Sequence, residues 1–171
     1  MGVLYGVESI KIGPAGANGT MGASLTRITP IAEGSVSFTI PARAKTEIRA
    51  EDVTGSVASI STDGDATTFI FDSLDLDNAT CLLLFGGSIT GNIYSYPTNP
   101  ESQELSIELT TKLIGGKRSI FRIPLTSADA SFEGSFTKAD VSRIRLTASV
   151  LTAIDAEGDP VAPWTKEEVA A

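Results

Sequence analysis

Hydrophobic and polar residues alternate along much of the chain, with the period of two that half-buried β-strands show. The stretch 35–41 alternates Val36, Phe38 and Ile40 with serine and threonine. The stretch 141–153 alternates aliphatic residues with arginine, threonine and serine. Similar patterns, enriched in β-branched and aromatic residues, predict further strands at 53–61, 67–71, 104–113 and 118–126. The pattern therefore predicts six to eight strands in all.

One segment departs from this period. Leucines recur in it at nearly helical spacing, and Gly86-Gly87 is a typical helix stop. The sequence therefore predicts one helix over about 74–85, with Ser73 or Asp75 capping its N-terminus. Since this helix is mostly apolar, we expect it to pack against a sheet.

Turn signals separate the predicted strands. Asp63-Gly64 is typical of a hairpin turn before the strand at 67–71, and Gly115-Gly116 predicts a hairpin between the strands at 104–113 and 118–126. Pro124 cannot donate a ladder hydrogen bond, so it indicates a sheet edge or a bulge. We expect a loop at 88–103, which contains two prolines.

The two ends and one internal stretch are expected to be irregular. The glycine-rich N-terminal segment 1–30 contains a predicted loop at 13–24. The acidic C-terminal segment 155–171 is expected to be a surface tail, from which Trp164 docks onto the domain. The highly charged stretch 42–52 either extends a strand or forms a polar excursion.

These elements predict one mainly β domain covering residues 1–171. The expected architecture is an antiparallel two-sheet β-sandwich or partial barrel with the helix at its side.

The composition excludes several classes of chemistry. The chain has no histidine, so histidine-activated nucleophiles and histidine-ligated metals are excluded. It has one cysteine, Cys81, so it forms no intrachain disulfide. The net charge of -8 argues against binding nucleic acid through its phosphates. The sequence shows neither a signal peptide nor a membrane-spanning segment, and we expect an intracellular origin without membrane association.

The remaining candidate sites have ordinary structural explanations. Two acidic clusters, Asp72 to Asp77 and Asp155 to Asp159, lack the ligand spacing of a calcium loop and are expected to cap the helix and to form an exposed turn. Cys81 is expected to be a buried, inert thiol. We therefore expect no catalytic residue, metal or cofactor. A sugar-stacking platform could use only Tyr94, Tyr96 and Trp164, among few aromatic residues.

The arginines of the last predicted strands are more informative about function than these candidate sites. Arg122 should lie on the strand face opposite Phe121 and Ile123, and Arg143 and Arg145 should share a polar face. Two interpretations stay open: a solvated outer face, or contacts with acidic residues of a neighbouring copy.

The order of these elements resembles the major tail tube proteins of phages with contractile and non-contractile tails, a family that includes the inner-tube proteins of injection systems. The resemblance covers about residues 30–160. Its most specific part is the final strand, where Ile144-Arg145-Leu146-Thr147-Ala148-Ser149-Val150-Leu151-Thr152 is followed by Asp155-Ala156-Glu157-Gly158.

The resemblance implies a structural virion protein, made in the host cytoplasm, whose copies form hexameric rings that stack into a DNA-conducting tube. Its partners would be further copies and other tail proteins, namely the tape measure, terminator and baseplate. DNA would pass through the lumen without specific binding. The stretch 42–52 would reach the next ring, and the two chain ends could be arms that become ordered on stacking. The expected subunit-interface residues are Arg43, Lys45, Glu47, Arg49, Glu51, Arg122, Arg143 and Arg145.

Two other classes of function stay open. One is a different β-sandwich protein, either a tail completion or head protein of the virion or a carbohydrate-binding module. The other is a hydrolase that uses a pair of carboxylic acids.

Overall fold

A computed structural model describes residues 6–49, 51, 54–62, 64–137 and 140–170. The chain is mainly β, with antiparallel strand pairing and one helix beside the sheets, which confirms the predicted fold class. The described strands do not close into a barrel.

The described residues form twelve strands, one short 3-10 turn and one α-helix. The first six strands are β1 (Val7–Pro14), β2 (Thr26–Ile28), β3 (Ser37–Thr39), β4 (Ala44–Arg49), β5 (Ser56–Thr62) and β6 (Thr68–Ser73). After the helix α1 (Asn78–Phe85) come β7 (Ser88–Thr90), β8 (Ile93–Ser95), β9 (Gln103–Thr111), β10 (Lys117–Glu133), β11 (Arg143–Val150) and β12 (Thr165–Ala170). The 3-10 turn spans Ala17–Gly19.

Eight of these strands form one sheet in the order β2-β1-β9-β10-β11-β6-β3, with β12 added on β10. The long strand β10 organises the sheet. One of its edges pairs with β9, and its other edge pairs first with β12 and then with β11. Phe38 of β3 packs against Phe121 of β10 and against Trp164. The end of the sheet therefore folds back over its middle, which gives the layered packing of a sandwich.

The alternation of apolar and polar residues along the strands predicts which side chains are buried in the core. Ile107 of β9, Ile144 and Leu146 of β11, and Phe69 and Phe71 of β6 are all fully buried. Their polar neighbours in sequence face the other side of the sheet, as a period of two requires. The period-2 pattern thus predicted these core positions, but it did not predict Ile10, Ile12 and Ile28 of β1 and β2, which are also buried.

The helix is shorter than predicted, because it begins at Asn78 rather than at residue 74. Ser73 is the buried last residue of β6. The Asp75 carboxylate accepts hydrogen bonds from the Asp77 backbone N–H at 3.1 Å and the Thr80 hydroxyl at 2.7 Å, so it braces the turn before the helix. The predicted end is confirmed: Gly86 has a φ of 74° and donates its N–H to the Leu82 carbonyl.

The predicted hairpin at Asp63-Gly64 is wrong. Strand β5 pairs with β4, whereas β6 pairs with β11 and β3. The apolar β6 is buried in the main sheet, while β5 has a nearer partner in β4. Asp63 itself lies outside the described residues. By contrast, the hairpin at Gly115-Gly116 is confirmed, with φ values of 58° and 76°.

Segments predicted to be irregular contain strands. The N-terminal segment provides β1, which includes Gly13 and Pro14, and β2; residues 1–5 lie outside the described part. The predicted loop 88–103 contains the hairpin β7–β8. The expected surface tail provides β12, which pairs with β10. Distant strands supply the partners of β1 and β12, whereas β7 pairs with its neighbour β8. In each case local composition was misleading. The docking of Trp164 is confirmed, since its ring packs against Phe38 and Phe121.

Strand β10 is longer than the strand predicted at 118–126, because it continues to Glu133. Its register against β9 shifts between Ile123 and Thr126, which confirms a bulge at Pro124. The Ser106 hydroxyl donates a hydrogen bond to the Pro124 carbonyl at 2.6 Å and so satisfies the bulged backbone.

Candidate subunit interface

Strands β4 and β5 form a two-stranded sheet separate from the main sheet. We call this element the hairpin 44–62. It aligns Ala44 with Thr62 and Ile48 with Ala58. Every side chain described in these two strands is exposed. An isolated two-stranded hairpin is at best marginally stable in water and usually needs further packing. The exposed side chains of the hairpin 44–62 show no such packing within the described residues.

The hairpin has two chemically different faces. Lys45, Glu47 and Arg49 share one face by the alternation of β4, with a 3.3 Å ion pair between Arg49 and Glu47. The other face carries Ile48, 43% exposed, and Ile60, 53% exposed. These two side chains make this face of the hairpin the apolar one.

Five of the predicted interface residues therefore belong to one element. Arg43 immediately precedes β4, Glu51 follows it, and Lys45, Glu47 and Arg49 lie within it. Residues 44–49 of the stretch 42–52 thus form one strand of a separate hairpin, and Ala50 and Asp52 lie outside the described residues.

The other three predicted residues have carboxylate partners within the same chain. Arg122 donates to Glu108 at 3.1 Å and to Glu167 of β12 at 2.5 Å. Burial would raise the pKa of Glu108, but hydrogen bonds from Lys11 and Arg122 outweigh it and hold that pKa below its usual value. Arg122 does lie opposite the buried Phe121 and Ile123, as predicted.

Arg143 and Arg145 share a polar face, as predicted, and meet two acids there. Arg145 donates two hydrogen bonds, of 2.8 and 3.0 Å, to the carboxylate of the buried Asp72. These hydrogen bonds lower the pKa of Asp72. Arg143 lies 3.2 Å from Glu133 and 3.6 Å from Asp72. One of the two open interpretations placed the acidic partners of these arginines on a neighbouring copy, but this chain supplies carboxylate partners itself. A role for these arginines in a subunit interface stays a prediction.

The structure also forms a cleft that the sequence did not predict. It lies between α1, β8 and the end of β10, with a volume of about 400 Å³. Its lining residues are Cys81, Phe85, Tyr94, Tyr96, Ala130, Ser131 and Phe132, and we call it the aromatic cleft. Only long-range pairing brings β10 beside the helix, so no local signal could have revealed it.

Cys81 is half-buried in this cleft rather than fully buried. Burial raises the pKa of its thiol, and the nearby Asp75 and Asp77 raise it further. The thiol is therefore neutral at pH 7, as expected of an unreactive cysteine.

The fold does not bring the side chains of the other candidate sites together into a binding site. Trp164 packs with Phe38 and Phe121, whereas Tyr96 packs with Phe85, so the three proposed sugar-stacking residues do not form one platform. The Asp155 carboxylate accepts hydrogen bonds from the Glu157 and Asp159 backbone, which confirms an exposed turn. Within the described residues, no group of three or more potential ligands could hold a metal ion.

No protein-family model matches the sequence, and no curated protein matches it. None of the helices in the described ranges is long and apolar enough to span a membrane.

Proposed function

We propose that this protein is a structural subunit of a phage tail tube, which assembles into stacked hexameric rings that conduct DNA. The observation that carries this proposal is the hairpin 44–62, because both of its faces are exposed in the single chain. A neighbouring copy would cover the apolar face and supply the packing that the hairpin lacks.

The edges of the main sheet support assembly from side-by-side copies. Strands β2 and β3 end the sheet and have only three residues each. Strand β12 pairs with β10 on one side, and the described residues supply no partner for its other side. Ring closure would pair such edges between copies, which removes the aggregation hazard of an exposed edge.

Charge supports a conducting role for the assembled tube. With a net charge of -8, each copy repels the phosphates of DNA. An acidic lumen would let DNA pass without binding it. A tube whose lumen is net basic would contradict this part of the proposal.

The proposal places the protein in the virion tail, as a non-enzymatic component. Its partners are further copies of itself and the tail proteins at the ends and inside of the tube: terminator, baseplate and tape measure.

The double substitution of Ile48→Ser and Ile60→Ser tests the role of the hairpin. We expect it to raise the protein concentration needed for assembly at least tenfold, measured by sedimentation velocity, because it removes the apolar face. The melting temperature of the unassembled protein should change by less than about 2 °C, since the hairpin is not part of the main core.

The matched control is Thr46→Ser with Thr62→Ser, which alters the same hairpin without removing aliphatic side chains. It should assemble like the wild type. Normal assembly of the isoleucine variant would show that the hairpin face is not an assembly surface.

A further inference from the structure

A row of charged side chains crosses the main sheet on the face turned away from the buried core. Strands β2, β1, β9, β10 and β12 lie side by side there. The residues directly opposite one another on the first four of these strands are Arg27, Lys11, Glu108 and Arg122. Arg122 reaches on to Glu167 of β12. We call these five side chains the charge row, and it runs from the edge strand β2 to the edge strand β12.

At its β12 end the charge row finishes with a carboxylate. Glu167 is the only charged residue on its face of β12, because Lys166 and Glu168 point to the other face and pair with each other at 2.9 Å. The Glu167 side chain remains half exposed beside Arg122. This edge of the sheet therefore presents one accessible negative charge on the face of the charge row.

At its β2 end the charge row finishes with a cation that has no acidic partner. Arg27 is exposed and is the only charged residue in the stretch 15–32. It donates a 3.3 Å hydrogen bond to the Glu8 backbone carbonyl, but it makes no ion pair within the described residues. The charge row of one chain thus holds three cations and two carboxylates, and the cation in excess lies at this edge.

The position of Arg27 favours a carboxylate from outside the chain. Arg27 lies directly opposite Lys11 on β1, and like charges in opposite positions of a sheet are destabilising. Glu108 lies two strands away and already accepts hydrogen bonds from Lys11 and Arg122. A carboxylate on the open side of β2 would offset this repulsion, and Glu167 of another copy offers one.

The backbone at both ends of the charge row is also open to a partner. The Ser119 N–H of β10 points towards β9, where it donates to the Thr111 hydroxyl at 3.0 Å. Glu168 lies opposite Ser119, so by the alternation of an antiparallel pair the N–H and C=O groups of Lys166 and Glu168 point away from β10. In the part of the chain that the structure describes, β2 pairs only with β1. Both edges can therefore accept a further strand.

We propose that the β12 edge of one copy pairs with the β2 edge of the next copy, with Glu167 beside Arg27. This contact rests on the proposed self-assembly and names the two edges that meet. Strands β2 and β12 run in the same direction, because four antiparallel pairings separate them. Copies arranged alike around a ring axis therefore join these strands as a parallel pair. Since the two edges differ, the contact is head-to-tail, which is the kind that closes into a ring.

Paired cysteines beside the two charges test this contact and leave both charges in place. Thr29→Cys and Val169→Cys are combined in a Cys81→Ser background, and the concentrated protein is oxidised and analysed on a non-reducing gel. Within one chain the two positions are separated by four strand spacings, roughly 19 Å, which is too far for a disulfide. We expect a ladder of covalent oligomers from this variant, and only mixed dimers when the two single-cysteine variants are combined.

The matched control pairs Thr29→Cys with Thr90→Cys, at an exposed position on β7 away from both edges. It should give no ladder. An equally strong ladder from this control, or none from the test pair, would overturn the contact. Dimers from the Val169→Cys variant alone, in place of the ladder, would show a two-fold pairing of β12 edges and would also overturn it.

Charge variants of Arg27 give a second readout. Arg27→Glu should raise the protein concentration needed for assembly about tenfold, because it places like charges opposite each other at every contact. Arg27→Lys keeps the positive charge and should stay within about threefold of the wild type. Far-UV circular dichroism of the unassembled variants checks that both are folded. Assembly of Arg27→Glu at the wild-type concentration would refute the pairing of Arg27 with Glu167.

Electron microscopy of the same samples separates this contact from the tube function. Rings or tubes without the disulfide ladder would refute the contact and leave the tube function standing. A ladder without rings or tubes would support the contact and refute the tube. The absence of both would refute both.

Discussion

Asp72 shows how single residues hold neighbouring strands of the main sheet together. Its carboxylate is buried at the end of β6, where it receives two hydrogen bonds from Arg145 of β11. Arg143 adds a second positive charge at 3.6 Å. Because these partners lower the pKa of Asp72 in the folded protein, the carboxylate stabilises the fold above its unfolded pKa of about 4.

The substitution Asp72→Asn should therefore lower the free energy of unfolding at pH 7 by about 1–3 kcal/mol, since a charged hydrogen-bond acceptor is lost. The difference from the wild type should shrink as the pH falls below about 4, because the wild-type carboxyl then becomes protonated too. Urea unfolding between pH 3 and pH 7 measures this.

The control for this measurement is Asp77→Asn, at the exposed N-cap position, where the aspartate side chain makes no capping hydrogen bond. It should change stability by less than about 0.5 kcal/mol. A loss for Asp72→Asn that is the same at pH 3 and pH 7 would show that packing, rather than charge, is responsible.

At the scale of single residues, the sequence predicted the strand face on which a side chain lies. It did not predict which residue that side chain contacts. The alternation of β11 placed Arg143 and Arg145 on the face opposite Ile144 and Leu146, because side-chain direction follows from a period of two. Their partner Asp72 lies more than seventy positions away in sequence, and only the pairing of β6 with β11 brings it close. Local patterns carry no information about such partners.

Strand β12 shows that a whole element can also lack a local signal in the sequence. Its six residues include two adjacent glutamates and only one apolar residue larger than alanine, so nothing local indicates a strand. It forms because β10 offers an open edge and because Arg122 and Lys117 face its glutamates. The helix and the hairpin at Gly115-Gly116 were predictable because their signals are local.

Removal of residues 165–171 should expose the edge of β10 that β12 covers. We expect faster amide exchange in residues 117–122, which pair with β12, and little change in residues 127–133, which pair with β11. Hydrogen-exchange mass spectrometry on the truncated and full chains measures both regions at once. Equal protection of residues 117–122 in the two chains would contradict a stabilising role for β12.

At the scale of elements, the sequence predicted one part of the candidate interface and missed the rest. The charged stretch 42–52 was recognisable because five charged residues of the predicted interface fall within it. Its opposite, apolar face became visible only when β4 paired with β5 and brought Ile60 beside Thr46. The aromatic cleft needed the contact of three distant elements and gave no signal in the sequence.

At the scale of the whole molecule, a buried apolar core contrasts with several surfaces that the described residues leave uncovered. The main sheet buries most of its apolar side chains, and four of its arginines are paired with acids of the same chain, namely Arg118, Arg122, Arg143 and Arg145. The hairpin 44–62, the aromatic cleft and the short edge strands instead have surfaces that a further copy could cover. These surfaces support the proposed assembly, and the net charge of -8 suits the proposed passage of DNA through the tube.

Negative-stain electron microscopy of the purified wild-type protein over a series of concentrations tests this account most directly. We predict hollow rings with sixfold symmetry at intermediate concentrations and tubes of regular bore at high concentrations. A protein that stays monomeric at the highest concentration, or that binds glycans as a monomer, would contradict the tail-tube function.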